Sequence, residues 1–125
     1  NAALRYLEET GIETIRAKES ALTAGFLERM RGNADIHIAG TGDAKKQTAV
    51  VSLDFLRRDN AEIAFLLDSE FGIMTRCGLH CAPCAHKTLG TFPKGTVRFS
   101  FGHFNTMEEI AYAADSIKTI LRQGV

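Results

Sequence analysis

The connection between the first two strand-like segments of this 125-residue chain is too short for a parallel crossover. Residues 35–40 form the first of these segments, and the β-branched residues 48–55 form the second. Only a polar loop, residues 40–47, joins them. Parallel strands need a crossover of about a dozen residues or more, usually a helix. The sequence therefore predicts an α+β fold, with helices covering an antiparallel or mixed sheet of three to four strands.

Other segments supply the helices and the remaining strands. Helical spacing of apolar residues predicts five helices, over residues 2–10, 12–31, 61–70, 82–88 and 106–121. Asp59 or Asn60 caps the third helix, and Thr106 with Glu109 forms a capping box on the last. Two further strands are predicted at residues 73–76 and at residues 95–102, where apolar and polar residues alternate. We expect residues 1–125 to form one domain.

Charge balance and cysteine content limit the partners and the compartment. Fifteen Lys and Arg residues balance fifteen Asp and Glu residues, so no net charge draws the chain to nucleic acid or to an anionic membrane. The apolar stretches are far shorter than a membrane-spanning helix. Three cysteines form no disulfide framework, so we expect a reducing, cytoplasmic location.

The three cysteines lie close together, and several chemistries fit them. Cys77, Cys81 and Cys84 have the spacing C-x-x-x-C-x-x-C, which occurs at iron–sulfur clusters, and His80 or His86 would be a fourth ligand for zinc. Alternatively, cysteines are small apolar residues of a core, the interpretation we favour for Cys77 and Cys84. Cys81 lies among glycine, histidine and proline, which indicates an exposed turn and not a core strand. Nucleophilic sulfur chemistry is the third alternative for this segment.

The residues around Cys81 resemble the active-site loop of the class V aminotransferase family, in its cysteine desulfurase branch. The loop reads R-x-G-x-x-C-A-P from Arg76 to Pro83. Further along, TVRFS at residues 96–100 and NTMEEI at residues 105–110 resemble the arginine strand and terminal helix of that family. The resemblance covers essentially the whole chain. It implies the small C-terminal domain of a fold-type I enzyme that uses pyridoxal phosphate.

This resemblance implies that Cys81 accepts sulfur from L-cysteine. Enzymes of the family release alanine and keep the sulfur as a persulfide on the cysteine that Cys81 matches. Arg98 matches the arginine that binds the α-carboxylate of the substrate, for which a planar guanidinium is suited. Arg76 and His80 are further candidates for substrate binding, and a positive charge on either would stabilise the attacking thiolate. The short loop before Cys81 is similar to that of desulfurases which pass sulfur to a separate acceptor protein.

The resemblance also implies that pyridoxal phosphate is bound by a larger N-terminal domain outside this chain. We interpret Lys87 as a surface residue, and the glycine-containing residues 40–42 open no helix that would hold a phosphate. We therefore expect a homodimeric longer enzyme and no activity from these 125 residues alone. The alternatives are a selenocysteine lyase acting on L-selenocysteine, another class V aminotransferase, and an iron–sulfur or zinc module.

Overall fold

Helical and strand periodicities in this sequence produce nine elements in the computed structural model, which describes residues 1–123. The helices are α1 (Ala2–Thr10), α2 (Ile12–Met30), α3 (Asn60–Phe71), α4 (Pro83–Leu89) and α5 (Met107–Gln123). The strands are β1 (Ile36–Ala39), β2 (Val50–Phe55), β3 (Arg76–Gly78) and β4 (Thr96–Ser100). Within these residues, no helix is both long enough and apolar enough to span a membrane.

The four strands form one antiparallel sheet in the order β1-β2-β4-β3. This confirms the predicted α+β fold and the absence of a parallel crossover between β1 and β2. Since β4 is central, it contacts β2 on one side and β3 on the other. Val97 and Arg98 of β4 therefore each have a cross-strand neighbour on both sides.

One face of the sheet carries the apolar core, which α2, α3 and α5 cover. Strand alternation places Val51, Leu53, Val97 and Phe99 on this face, and all four are buried. The opposite face, which we call the polar sheet face, consists of Ser52, Asp54, Arg76, Thr96, Arg98 and Ser100. Arg98 is half-buried there, as the alternation in the sequence predicted.

Hydrogen bonds at two helix starts confirm the predicted caps. The Asp59 carboxylate accepts from the backbone N–H groups of Ala61, at 2.8 Å, and Glu62, at 3.1 Å. At α5, the Glu109 N–H donates to Thr106 Oγ1 at 3.2 Å, while the Thr106 N–H donates to Glu109 Oε2 at 3.0 Å. These reciprocal bonds satisfy backbone donors that have no partner inside the helix.

The third strand differs from its predicted position at residues 73–76, because it begins at Arg76 and ends at Gly78. The N–H of Ile73 donates to the Leu67 carbonyl oxygen at 2.8 Å, which keeps this residue at the end of α3 and away from β4. Pairing with β4 starts only at Arg76 and continues to Gly78, whose partner is Thr96. The prediction was wrong because these contacts join residues that are distant in sequence.

Candidate active site

Cys81 lies in a tight turn between β3 and α4. The N–H of Ala82 donates to the Leu79 carbonyl oxygen at 2.8 Å, and the two central residues, His80 and Cys81, have φ of 51° and 59°. Positive φ at both central positions is the pattern of a type I′ turn, which usually takes Asn or Gly. A non-glycine residue in this region stores about 1–3 kcal/mol of strain, and such strain clusters at functional sites.

The structure exposes all three cysteines as free thiols. This agrees with the exposed turn predicted for Cys81, but the buried positions predicted for Cys77 and Cys84 are wrong. Cys77 lies on β3, a three-residue strand at the edge of the sheet. Cys84 lies on α4, a short helix whose one buried residue is His86. Within residues 1–123, no group of three or more His, Cys, Asp or Glu side chains is arranged to hold a metal ion.

Two arginines face each other on the polar sheet face. Arg98 of β4 pairs in register with Arg76 of β3 on one side and with Ser52 of β2 on the other. Like charges directly across a strand pair are destabilising. Neither guanidinium forms an ion pair with another side chain of the described residues. An anion between them would relieve the repulsion, and a carboxylate fits the planar donors of arginine.

A shallow cavity of about 200 Å³ opens where these arginines lie. Its lining residues are Met74, Thr75, Arg76, Arg98 and Ser100. The cavity is lined by two cations and no carboxylate, so its electrostatics favour a small anionic ligand. This arrangement can bind the carboxylate of an amino acid on the same sheet face that carries Thr96.

His80 connects the turn of Cys81 to this sheet face. Its Nε2 lies 3.5 Å from Oγ1 of the buried Thr96. Burial lowers the pKa of His80 most, and the positive charge of Arg98 lowers it further. A hydrogen bond with the Thr96 backbone raises the pKa in part. The charges of His86 and Arg76 add smaller lowering effects. Because the neutral ring is favoured, the positive charge in this region at neutral pH comes from the arginines.

His86 is a buried neighbour of the site to which sequence reasoning gave only a possible role as a zinc ligand. Its Nδ1 lies 2.7 Å from Thr91 Oγ1, and its ring centroid lies 5.8 Å from that of His80. The imidazole ring of His86 therefore packs against that of His80. Lys87, its neighbour in sequence, is exposed as predicted, and its Nζ lies 5.1 Å from the ring centroid of Phe92.

We expect His80 to titrate below its ordinary value near 6.5 in an NMR titration of this chain. Because the folded-state pKa is the lower one, the unfolded chain binds more protons at pH values between the two. The stabilising contribution of His80 is thus fully present above about pH 6.5 and is lost as the pH falls through the folded-state pKa. The NMR signal of His80 is identified by its absence from the variant His80→Gln. The urea concentration at the unfolding midpoint should fall less on acidification in this variant than in the parent. A pKa of His80 at or above 6.5 in the NMR titration would contradict the burial of its ring.

Comparison with known proteins gives a consistent set of relatives. The sequence model of the family described as "Aminotransferase class-V" matches residues 1–112. A "Probable cysteine desulfurase" of Mycolicibacterium paratuberculosis is 34% identical over 122 residues, which cover 98% of this chain and 17% of that protein. The apo structure of a cysteine desulfurase from Thermococcus onnurineus NA1 is 30% identical with a TM-score of 0.88, covering 98% of this chain and 30% of that one.

A second solved structure extends the likeness in fold. A cysteine desulfurase of Escherichia coli superposes with a TM-score of 0.86 at 22% identity, covering 99% of this chain and 29% of that one. At this level of identity the likeness concerns the fold alone. The chain spans less than a third of the length of each of these three relatives.

Proposed function

This chain belongs to the aminotransferase class-V family, and we propose on that premise that it forms the small C-terminal domain of a cysteine desulfurase. The observation that carries the proposal is the position of Cys81. Its thiol is exposed on a strained turn, and the adjacent His80 reaches the sheet face that carries the two arginines. In the longer enzyme, Cys81 would take sulfur from L-cysteine.

The proposed roles of the side chains follow from their chemistry. Arg98 binds the α-carboxylate of L-cysteine through two parallel N–H donors, and Arg76 adds a second positive charge. The Cys81 thiolate attacks the substrate sulfur, so that an S–S bond forms as the substrate C–S bond breaks. The β-carbon gains a proton, and the products are alanine and a persulfide on Cys81. His80, neutral at neutral pH, orients the turn through its contact with Thr96.

Pyridoxal phosphate is the cofactor that the family implies, and it acts as an electron sink when bound. The lysines next to this site are not suited to hold it. Lys94 forms an ion pair with Asp54 at 2.8 Å, and the exposed Lys87 lies over Phe92. We therefore propose that the cofactor is bound outside this chain, in the larger domain of the longer enzyme, and that the 125 residues alone are inactive.

Three further proposals concern the setting of the enzyme. The exposed Cys81 would leave its persulfide accessible to a sulfur-acceptor protein. Free thiols at all three cysteines fit a cytoplasmic, reducing environment. Family resemblance supports a homodimer in the longer enzyme.

We expect the longer protein, loaded with pyridoxal phosphate, to convert L-cysteine to alanine and to gain one sulfur atom on Cys81. Peptide mass spectrometry locates the sulfur, and amino-acid analysis counts the alanine. Equal amounts in the first turnover support the proposal. Alanine without sulfur on Cys81 would contradict it. Release of selenium from L-selenocysteine without any turnover of L-cysteine would instead indicate a selenocysteine lyase.

A further inference from the structure

A buried hydrogen-bond network centred on Asn60 lies between β2, the start of α3 and the segment before β4. The Asn60 side chain is 2% exposed. Its Oδ1 accepts from the Phe55 N–H at 3.0 Å, and its Nδ2 donates to Asp54 Oδ1 and to the Gly95 carbonyl oxygen, each at 3.0 Å. Asn60 thereby ties residue 95 to a turn 35 residues earlier in the sequence.

The polar side chains of the network are paired within it, and only Lys94, whose side chain is 35% exposed, lies at the surface. Lys94 Nζ lies 2.8 Å from Asp54 Oδ1 and also donates to the Phe55 carbonyl oxygen. The Asp54 carboxylate thus has both a cation and an amide donor. Buried polar networks in which each member is paired fix one conformation of the groups they join. We call Asp54, Phe55, Asn60, Lys94 and Gly95 the Asn60 network.

Gly95 links the Asn60 network to the turn of Cys81 through a backbone contact with Gly78. A Cβ on Gly95 would lie 2.3 Å from both the carbonyl carbon and the carbonyl oxygen of Gly78, a distance that no side chain can occupy. The two backbones are therefore in direct contact. Gly78 leads directly into the turn that contains His80 and Cys81. A shift of Gly95 would move Gly78, the residue immediately before the turn of residues 79–82.

The residue after Gly95 supports the turn at a second point. Thr96 pairs with Gly78 across the sheet, and its hydroxyl contacts His80. The turn that presents Cys81 thus rests on residues 95 and 96, and the Asn60 side chain holds the first of these. The hydrogen bonds of Asn60 to residues 54 and 55 join neighbours in the sequence. Its bond to Gly95 instead fixes the residue that contacts the segment leading into the turn.

We propose that Asn60 is a positioning residue for Cys81. It holds the Gly95 carbonyl, so that Gly95 and Thr96 keep the turn, and with it the Cys81 thiol, in its present geometry. The inference rests on the proposed function for its consequence in catalysis. Its structural part, that Asn60 controls the environment of the Cys81 thiol, is testable without any turnover.

The test compares Asn60→Ala with the parent in the longer protein. Cysteine reactivity is measured by timed alkylation with iodoacetamide, followed by peptide mass spectrometry, with Cys77 and Cys84 as references in the same chain. We expect the rate at Cys81, relative to the two references, to change by more than about threefold at neutral pH, because the turn loses the support of Gly95 and the environment of the thiol changes. We expect kcat with L-cysteine to fall about 10-fold, with little change in KM, because Arg98 is retained.

Two further variants keep the proposal falsifiable. Asn60→Ser shortens the side chain, so that the bonds from Nδ2 to Asp54 and Gly95 are lost while a polar group remains at this position; it is the milder variant if Asn60→Ala does not fold. Ser116→Ala removes another hydrogen bond of a buried residue, 2.8 Å to the Tyr112 carbonyl oxygen within α5, an element that does not flank the turn. A relative alkylation rate that changes no more in the Asn60 variants than in Ser116→Ala would overturn the inference. A change of more than about threefold in that rate, in a protein without desulfurase activity, would support the inference and contradict the proposed function.

Discussion

Replacement of Cys81 by serine abolishes alanine formation from L-cysteine in the longer enzyme, a loss we expect to be at least about 10³-fold in kcat. Serine has nearly the same shape, but its hydroxyl does not ionise near neutral pH and cannot attack a sulfur atom as a thiolate does. Alanine is measured by amino-acid analysis and the persulfide by mass spectrometry. Absorbance of the bound cofactor, compared with the parent, shows that the variant is correctly loaded.

The chain offers two matched controls for this substitution. Cys77 and Cys84 are also exposed and free, and they lie within four residues of Cys81. Cys77→Ser and Cys84→Ser should keep the parent rate within about twofold, as surface substitutions do. Persistent alanine formation in Cys81→Ser would refute the nucleophile assignment. Turnover of L-selenocysteine that survives the substitution would favour the lyase, since a selenol leaves more readily than a thiol.

Replacement of Arg98 by glutamine should lower kcat/KM for L-cysteine by about 100-fold, because a charged hydrogen-bonded pair with the α-carboxylate is lost. Arg98→Lys should recover only part of this, since an ammonium group cannot form two parallel hydrogen bonds. Initial rates over a range of L-cysteine concentrations separate the two kinetic constants. Most of the change should be in KM, because Arg98 contacts the substrate away from the breaking bond.

Arg16→Gln is the control for Arg98. Arg16 is exposed on α2 and is 3.9 Å from Glu13, a weak surface pair. Its replacement should leave kcat/KM unchanged within error. An Arg98→Gln variant with the parent kcat/KM would show that the substrate carboxylate is bound elsewhere. A purely structural role would instead lower the amount of folded protein while leaving KM of the folded fraction unchanged.

Local patterns were sufficient to predict most of the fold. The helices, the capping box of Thr106 and Glu109, and the alternation that placed Arg98 on a polar face all depend on residues within a few positions of one another. The family resemblance, rather than periodicity, selected Cys81 and Arg98 as candidates for catalysis. Alternation could show only that Arg98 does not point into the core.

The features that were missed depend on contacts between distant parts of the chain. The position of β3 follows from pairing with β4, about twenty residues later in the sequence. Cys77 is exposed on a three-residue edge strand and Cys84 on a short helix, and composition reveals neither placement. Asn60 adjoins a capping aspartate, so in the sequence it resembles an ordinary helix start, and its bond to Gly95 is visible only in the fold.

The left-handed backbone of Cys81 sets stability and activity against each other at one position. Glycine adopts this φ without steric cost, so Cys81→Gly relieves strain, a gain of about 0–2 kcal/mol after the greater freedom of glycine in the unfolded chain is subtracted. The same change removes the nucleophile. If the proposed function holds, stability and chemistry therefore favour different residues at this position.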